Sequence, residues 1–339
     1  MLYHQATFGW AKPEFRAQGT DRAFPFLEVF ANTGWIGVQV FFVLSGFIIS
    51  ASANNGSCWD FLRRRAVRVF PTLWICATIA LAIRLLAGEE ATELLMDYAR
   101  SVVLFPKGPY IDGVIWTLVV EAVFYAIVAS GIFLAGKELN RQIIFDGIAI
   151  RLGLVSSFFL LLEAISPLIS PAFNELMSKY FFTVFLLRHG VFFALGMLIW
   201  STLGQPVNTV RKIGWCHLFG LFCLLQIGIR SGGLVDMILP AMFWVLCLCF
   251  VIASIRWNDL INSTAALASI KFIGLMTYPL YLIHFTLGTY FTPIIFNKFG
   301  HDQYVNWLVL TLATLAFSGF ITSSLEPRGQ KALRRVLMT

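Results

Sequence analysis

Charged residues are scarce in this 339-residue chain. Asp, Glu, Lys and Arg together make up 13% of it, about half the share of an average soluble domain. Long polar stretches are missing too: no loop between apolar runs exceeds about 30 residues, too short for a separate soluble domain. No internal repeat or low-complexity segment is visible. The six cysteines form no metal-ligand spacing, and five of them (Cys76, Cys216, Cys223, Cys247, Cys249) sit in apolar runs. They read as buried thiols, and no metal is expected. What the chain has in excess is apolar surface: 58% hydrophobic residues, with 33 Phe and 10 Trp. A soluble fold of this size cannot hide that surface and cover the remainder with so few charges. Disordered, collagen-like and small secreted classes are excluded by the same figures. An all-α, polytopic transmembrane helical bundle remains.

A bilayer core of ~30 Å is crossed by about 20 apolar helical residues. Nine runs satisfy this, near 34–52, 69–87, 114–135, 148–166, 181–200, 213–229, 234–255, 270–296 and 304–324. A shorter apolar start, residues 1–10, covers ~15 Å and reads as the outer end of a partial first span. The expectation is nine full spans plus this partial one, in a single integral-membrane domain over residues 1–339. Loops after the second, fourth, sixth, eighth and tenth spans, counted with Arg151 and Lys271 at the adjoining span ends, hold 15 of the 25 Lys and Arg; the others hold 8, and Arg84 and Arg188 lie deeper inside spans. The positive-inside rule then puts the 328–339 tail, with Arg328, Lys331, Arg334 and Arg335, in the cytoplasm and residues 10–33 outside. The net charge of +7 follows from that asymmetry, so nucleic acid is not needed as a partner.

Ionisable groups inside spans are costly and are candidates for function by default. Glu121 lies one-third of the way into the fourth span, and a helix puts Trp116, Glu121 and Tyr125 near one face. Unpaired in lipid, its carboxylate would cost several kcal/mol, so it should face the protein interior. Arg188 and His189 are adjacent in the sixth span and diverge by about 100°; Arg188 could neutralise Glu121 or Glu163. Tyr281 and His284 share a face mid-span. His4 sits near the outer end of the partial first span, where it is either an interfacial anchor beside Tyr3 and Trp10 or a general base. On the cytoplasmic side, Arg65 and Arg68 share one face of a basic helix. Arginine's forked donors suit phosphate, although anchoring to anionic lipid accounts for the four arginines of this segment equally well. Pro71 is expected to open the span that follows.

Several of these segments resemble one family. Gly37-Val-Gln-Val-Phe41-Phe42-Val-Leu-Ser45-Gly46-Phe47 is similar to the second-span signature of the acyltransferase-3 family of integral membrane O-acyltransferases. Phe61 to Pro71 resembles its cytoplasmic Arg-x-x-Arg-Ile/Val-x-Pro, with Arg65 and Arg68 in the arginine places. Trp116-Thr-Leu-x-x-Glu121-x-x-Phe124-Tyr125 matches its Trp-Ser/Thr-Leu-x-x-Glu-x-x-Phe-Tyr. Gly274 to His284 resembles its Gly-x-x-Ser/Thr-Tyr-x-Leu-Tyr-Leu-x-His, and Glu326-Pro327 its closing Glu-x-Pro region. Arg188 to Gly196 looks like its Arg-containing, Gly-Met-ending stretch. His4 fits a first-span histidine that the family carries about eleven residues after a basic residue; that partner would precede Met1, so the chain reads as truncated at its start.

The resemblance implies transfer of an acyl group, with acetyl the first expectation, from cytoplasmic acyl-CoA to a hydroxyl on an extracytoplasmic or membrane-bound acceptor. Carbohydrates or glycolipids of the cell surface are the expected acceptors, and a bacterial inner membrane the expected location. A thioester is already activated, so acyl-CoA enters as co-substrate and no bound cofactor is required. His4 would be the base, with Glu121 orienting it or the acceptor, and Arg65 and Arg68 would hold CoA phosphates. Ser45, Trp116, Tyr125, Arg188, Tyr281 and His284 would line the substrate channel. Ser45 and Gly46 would let helices approach closely. The rival readings are a secondary transporter or flippase using the same charges as a proton relay, and an inactive, truncated family member.

Overall fold

The computed structural model describes residues 3–8, 32–53, 56–136, 140–204, 209–256, 264–299 and 302–337. Nearly all of the loop expected outside the membrane, residues 9–31, lies beyond them. Among the described residues every regular element is helical. A π-helical turn over Tyr3–Phe8 is followed by α1 (Ile36–Ala53), α2 (Cys58–Leu86), α3 (Ala91–Val102), α4 (Trp116–Ala135), α5 (Arg141–Ile169), α6 (Pro171–Ser178), α7 (Tyr180–Val184), α8 (Gly190–Gly204), α9 (Thr209–Ser231), α10 (Leu234–Arg256), α11 (Thr264–Phe299) and α12 (Gln303–Phe320). A second π turn, Ile321–Leu325, leads without a break into α13 (Glu326–Leu337).

Among the described residues, eight helical stretches are long and apolar enough to cross a membrane, and α8 adds a shorter apolar helix. The chain is an integral, multi-pass membrane protein. The helices run past the hydropathy boundaries. α2 begins at Cys58 and carries the basic segment and the span as one rod, so Pro71 lies inside the helix instead of opening it. A proline in that position loses one backbone bond, which neighbouring helices can offset in a membrane protein. Here the backbone of α13 comes close, with Gly329 against the Pro71 ring. The expected cytoplasmic tail is likewise the continuation of a helix.

The span expected over 181–200 is broken. α7 ends at Val184, Leu186 takes φ +62°, and α8 starts only at Gly190. Hydropathy averages over a window and does not register such a break. Irregular backbone at membrane depth is tolerated where protein satisfies it. Ser156 of α5 does this: its hydroxyl donates to the Leu187 carbonyl at 2.8 Å and accepts from Val191 N–H at 3.0 Å.

The fold divides into two compact units. The first comprises Met1–Trp35, Arg63–Trp116 and Ser254–Thr339; the second comprises Ile36–Leu62 and Thr117–Ala253. Within the second, α8 packs between α1 and α5. Gly46 and Gly196 make the α1–α8 contact possible. A Cβ on Gly46 would run into the Phe193 carbonyl, and one on Gly196 into the Val43 carbonyl. Phe193 stacks on Phe42 at 4.8 Å and meets Phe124 at a tilt, with ring centroids 4.4 Å apart. Lipid tails are as apolar as these rings, so close van der Waals packing has to hold such helices together. α10 buries only Pro240 and Trp244 within the unit, and Phe250 on it is 75% exposed, as a lipid-facing helix would be.

Within the first unit, polar side chains tie the helices to their connections. Arg84, at the end of α2, donates to Glu89 Oε2 through Nε at 3.0 Å and Nη2 at 2.7 Å. Its Nη1 reaches the Ile111 carbonyl at 2.9 Å. Tyr290 of α11 donates to the other oxygen of Glu89. Asp112, in the segment before α4, accepts from Val114 N–H at 3.0 Å and from Thr286 N–H at 3.1 Å, and the Thr286 hydroxyl also donates to it.

Candidate functional site

α11 is the spine of the candidate site. Its polar residues at 278, 281 and 284 recur at helical spacing and so share one face. Six residues separate Tyr278 from His284, about 9 Å of rise. Tyr278 donates to the Val69 carbonyl of α2 at 3.0 Å, and Tyr281 donates to the Val114 carbonyl at 3.1 Å. Each phenol thereby locks α11 against a neighbouring segment.

His284 is 3% exposed, and its side chain folds back on its own helix. Nδ1 lies 2.8 Å from the Tyr281 carbonyl and 3.1 Å from that of Leu280. Nε2 lies 2.7 Å from Nδ1 of His4. The His4 ring is half-buried, edge-on to Phe285 at 5.1 Å and next to Tyr3. The π-helical turn that carries His4 also buries Gln5 completely. The Gln5 amide donates to the His284 carbonyl at 3.4 Å and to Thr314 of α12 at 3.3 Å. π turns recur at functional sites because they re-aim a side chain. Here one sets two consecutive polar residues against α11 and α12.

At the other end of this face, Arg68 donates to Glu326 Oε1 at 2.6 Å, and its guanidinium lies over the Tyr278 ring at 5.6 Å. The Arg68 side chain is 35% exposed and that of Glu326 only 5%. Glu326 is placed there by the Ile321–Leu325 π turn at the start of α13. Arg65 is half-buried like Arg68, while Arg63 and Arg64 are exposed. The face expected for Arg65 and Arg68 is therefore the inner one.

The expected site residues fall in both units. His4, Arg65, Arg68, Trp116, Tyr281 and His284 belong to the first; Ser45, Glu121, Tyr125 and Arg188 belong to the second. Glu121 is 7% exposed and accepts from the Ser45 hydroxyl at 2.8 Å. Tyr125 stands edge-on to Phe61 at 6.1 Å. The close approach expected at Ser45–Gly46 is present, with α8 as its partner. Of the two partners open to Arg188, it takes Glu163, at 2.7 Å through Nη2. It also donates to Thr183 at 2.7 Å and to the Met177 carbonyl at 2.6 Å. That set of bonds ties α5, α6 and α7 together.

Sequence reasoning passed over Gln5, Asp112 and the Glu89–Tyr290 contact. Gln5 could have been found: an amide beside His4 inside an apolar run needs partners. Asp112 and Glu89 lie in short connections, where a carboxylate draws no attention. Asp112 is 2% exposed. Burial raises its pKa from 3.8 to about 6, against the opposing pull of its hydrogen bonds and of Arg84. No cluster of three or more potential metal ligands occurs among the described residues.

Residues 2–323 match the family model of the acyltransferase-3 group, an acyltransferase domain. The chain belongs to that family. Over 112 aligned residues it is 32% identical to Nodulation protein 10 of Rhizobium leguminosarum bv. viciae, covering 26% of this chain and 30% of that protein. It is 30% identical over 137 residues to an O-acetyl transferase of Shigella phage Sf6, with 35% of this chain and 40% of that one aligned. It is also 30% identical over 137 residues to the exopolysaccharide production protein ExoZ of Rhizobium meliloti (strain 1021), covering 33% and 43%. The chain thus spans 30% to 43% of the length of these curated relatives. No solved structure matches it.

Proposed function

We propose that the chain transfers an acyl group, acetyl in the first instance, from acyl-CoA to a hydroxyl of a cell-surface carbohydrate or glycolipid. The observation that carries this reading is the His4–His284 contact. Two histidines singled out in the sequence as intramembrane polar residues and again by the family resemblance, 280 residues apart, meet through their ring nitrogens at 2.7 Å. Imidazole is the usual base for a hydroxyl near neutral pH. A thioester needs no further activation by metal or redox chemistry.

In this reading His4 takes the proton of the acceptor hydroxyl. Arg68, steadied by Glu326 and Tyr278, holds a CoA phosphate together with Arg65. Glu121, fixed by Ser45, assists transfer. Relatives named as an O-acetyl transferase and an exopolysaccharide production protein support acetyl and carbohydrate as the first substrates to try. The protein resides in the inner membrane with α13 in the cytoplasm, a topology supported by the Lys/Arg asymmetry. Labelling of Lys331→Cys from outside intact cells would overturn that orientation.

The test is acceptor-dependent release of CoA from acetyl-CoA by the purified chain in lipid nanodiscs, with ester formation followed by mass spectrometry. His4→Gln should lower turnover by about 10²–10⁴ at unchanged membrane levels. No CoA release with any carbohydrate acceptor, or near-normal turnover by His4→Gln, would refute the reading. Movement of solute without ester formation would favour a transporter.

A further inference from the structure

The His4–His284 contact fixes more than proximity; it fixes which nitrogen of each ring carries hydrogen. His284 Nδ1 faces two backbone carbonyls, those of Tyr281 at 2.8 Å and Leu280 at 3.1 Å. Carbonyl oxygens only accept, so Nδ1 bears the hydrogen. A neutral His284 then has its lone pair at Nε2. That atom lies 2.7 Å from His4 Nδ1, a distance that calls for one proton between the two nitrogens. Since the lone pair belongs to His284, the proton belongs to His4 Nδ1. In neutral His4 the basic nitrogen is therefore Nε2.

We propose that His284 is a positioning residue that holds His4 in its Nδ1–H tautomer and so directs the His4 lone pair to Nε2. The use made of that lone pair rests on the acyl-transfer reading above; the tautomer itself does not. The bond that one ring nitrogen makes decides which nitrogen is protonated, and everything around His284 is set to keep that bond. Its ring is buried and pinned to its own helical turn, and Gln5, the neighbour of His4, donates to its carbonyl. His4 in turn is edge-on to Phe285, the residue after His284.

The step balances without any group beyond the two substrates. The acceptor O–H bond breaks and its proton goes to His4 Nε2. The freed oxygen pair forms the C–O bond to the thioester carbonyl carbon. The C–S bond then breaks with its electrons going to sulfur, and the thiolate takes the proton back from Nε2. His4 is an imidazolium between these events, still donating from Nδ1 to His284. His284 neither gains nor loses a proton. It acts through His4, which separates it from a second base or an acyl-carrying nucleophile.

The test is nitrogen NMR of the full chain in lipid nanodiscs, labelled with ¹⁵N-histidine, read beside acetyl transfer. Among the five histidines, the signals of His4 and His284 are assigned by comparing His4→Gln and His284→Gln with the parent. Near neutral pH, His4 should show a protonated Nδ1 and a bare Nε2. His284→Gln places an amide oxygen where Nε2 was, so the tautomer should persist and turnover should stay within about threefold. His284→Leu removes the acceptor. The His4 signal should move toward the Nε2–H form, and kcat should fall by about 10²-fold with the KM for acetyl-CoA unchanged. A bare Nδ1 on His4 in the parent overturns the proposal. So does a His284→Leu chain that keeps both tautomer and rate, or a His284→Gln chain as slow as His284→Leu, which would make His284 a proton carrier. A parent that has the Nδ1–H tautomer and transfers nothing supports the proposal and refutes the acyl-transfer reading, so the two failures are separable.

Discussion

Polar side chains in the second unit mostly mend the scaffold, with the Ser45–Glu121 pair set apart from them, whereas in the first unit they also gather two imidazoles and an arginine–glutamate pair along one face of α11. Ser156 patches a broken helix, Arg188 and Glu163 neutralise each other, and Lys212 pairs with Asp146 at 3.3 Å. Ser45 donates to the buried Glu121, and much of the remaining packing is glycine-permitted contact and close phenylalanine rings. In the first unit, by contrast, two imidazoles meet, a guanidinium keeps one-third of its surface exposed, and a carboxylate sits buried among three donors. Membrane helices gain little from burying apolar groups against one another. One unit therefore relies more on close fit, and the other on a set of buried polar contacts concentrated along α11.

The sharpest way to break this comparison is to destroy the fit. Gly46→Ala puts a methyl group into the Phe193 carbonyl, which as backbone cannot swing aside. A loss of about 3 kcal/mol, the top of the usual overpacking range, is expected, seen as a collapse of the monodisperse peak on heating the detergent-solubilised protein. Gly37→Ala, on the same helix with nothing within 4 Å of the added carbon, should be neutral or slightly stabilising. If both variants behave alike, close α1–α8 packing is not what holds the second unit.

Next in size is the Arg188–Glu163 pair, with side chains 16% and 11% exposed. Removing one partner of a buried pair costs about 3–5 kcal/mol, while replacing both by apolar groups can be close to neutral. Arg188→Ala should unfold far more readily than the parent, and Arg188→Met with Glu163→Leu should recover most of the loss. Were Arg188→Ala to stay folded and lose only acyl transfer, Arg188 would belong to a substrate path after all.

How much of this was legible in the sequence depends on what each feature needs. Helical spans follow from composition, because lipid leaves a backbone few ways to satisfy itself. Eight of the nine expected full spans therefore coincide with helices that, among the described residues, are long and apolar enough to cross a membrane. The break before α8 did not, because it depends on a hydroxyl 31 residues away from the carbonyl it satisfies. That Arg65 and Arg68 share one face was readable from a three-residue spacing; that this face is the less exposed one needed the burial of the folded helix. Glu163 was named as one of two partners for Arg188, and only packing could choose it. The meeting of His4 with His284 was beyond reach, since nothing local relates residues 280 positions apart.

Asp112 tests whether polar burial in the first unit is under strain. Burial raises its pKa from 3.8 to about 6. The folded value lies above the unfolded one, so the stabilising contribution is complete below about pH 4 and is lost as pH rises through about 6. Two pKa units correspond to about 3 kcal/mol at most. The unfolding temperature of the parent should fall between pH 4 and pH 7, and Asp112→Asn should flatten that slope. An equal slope in both would assign the pH dependence to another group.

The smallest effect expected, and the one that separates the two uses of charge most finely, is at Arg68. If its guanidinium holds a CoA phosphate, Arg68→Ala should raise the KM for acetyl-CoA about tenfold, equivalent to ~1.4 kcal/mol, with kcat little changed. Arg68→Lys keeps the charge without the fork and should recover only part of this. Arg68→Ala also leaves Glu326 without this cation, and that carboxylate is almost wholly buried. Glu326→Gln in the Arg68→Ala background resolves the ambiguity. It removes the stranded charge, so it should restore any loss of folded protein. It cannot supply a donor for phosphate, so the raised KM should remain. A double variant that regains both stability and the parental KM would place Arg68 with Arg188, as a scaffold pair, and would leave Arg65 as the residue to examine for the donor.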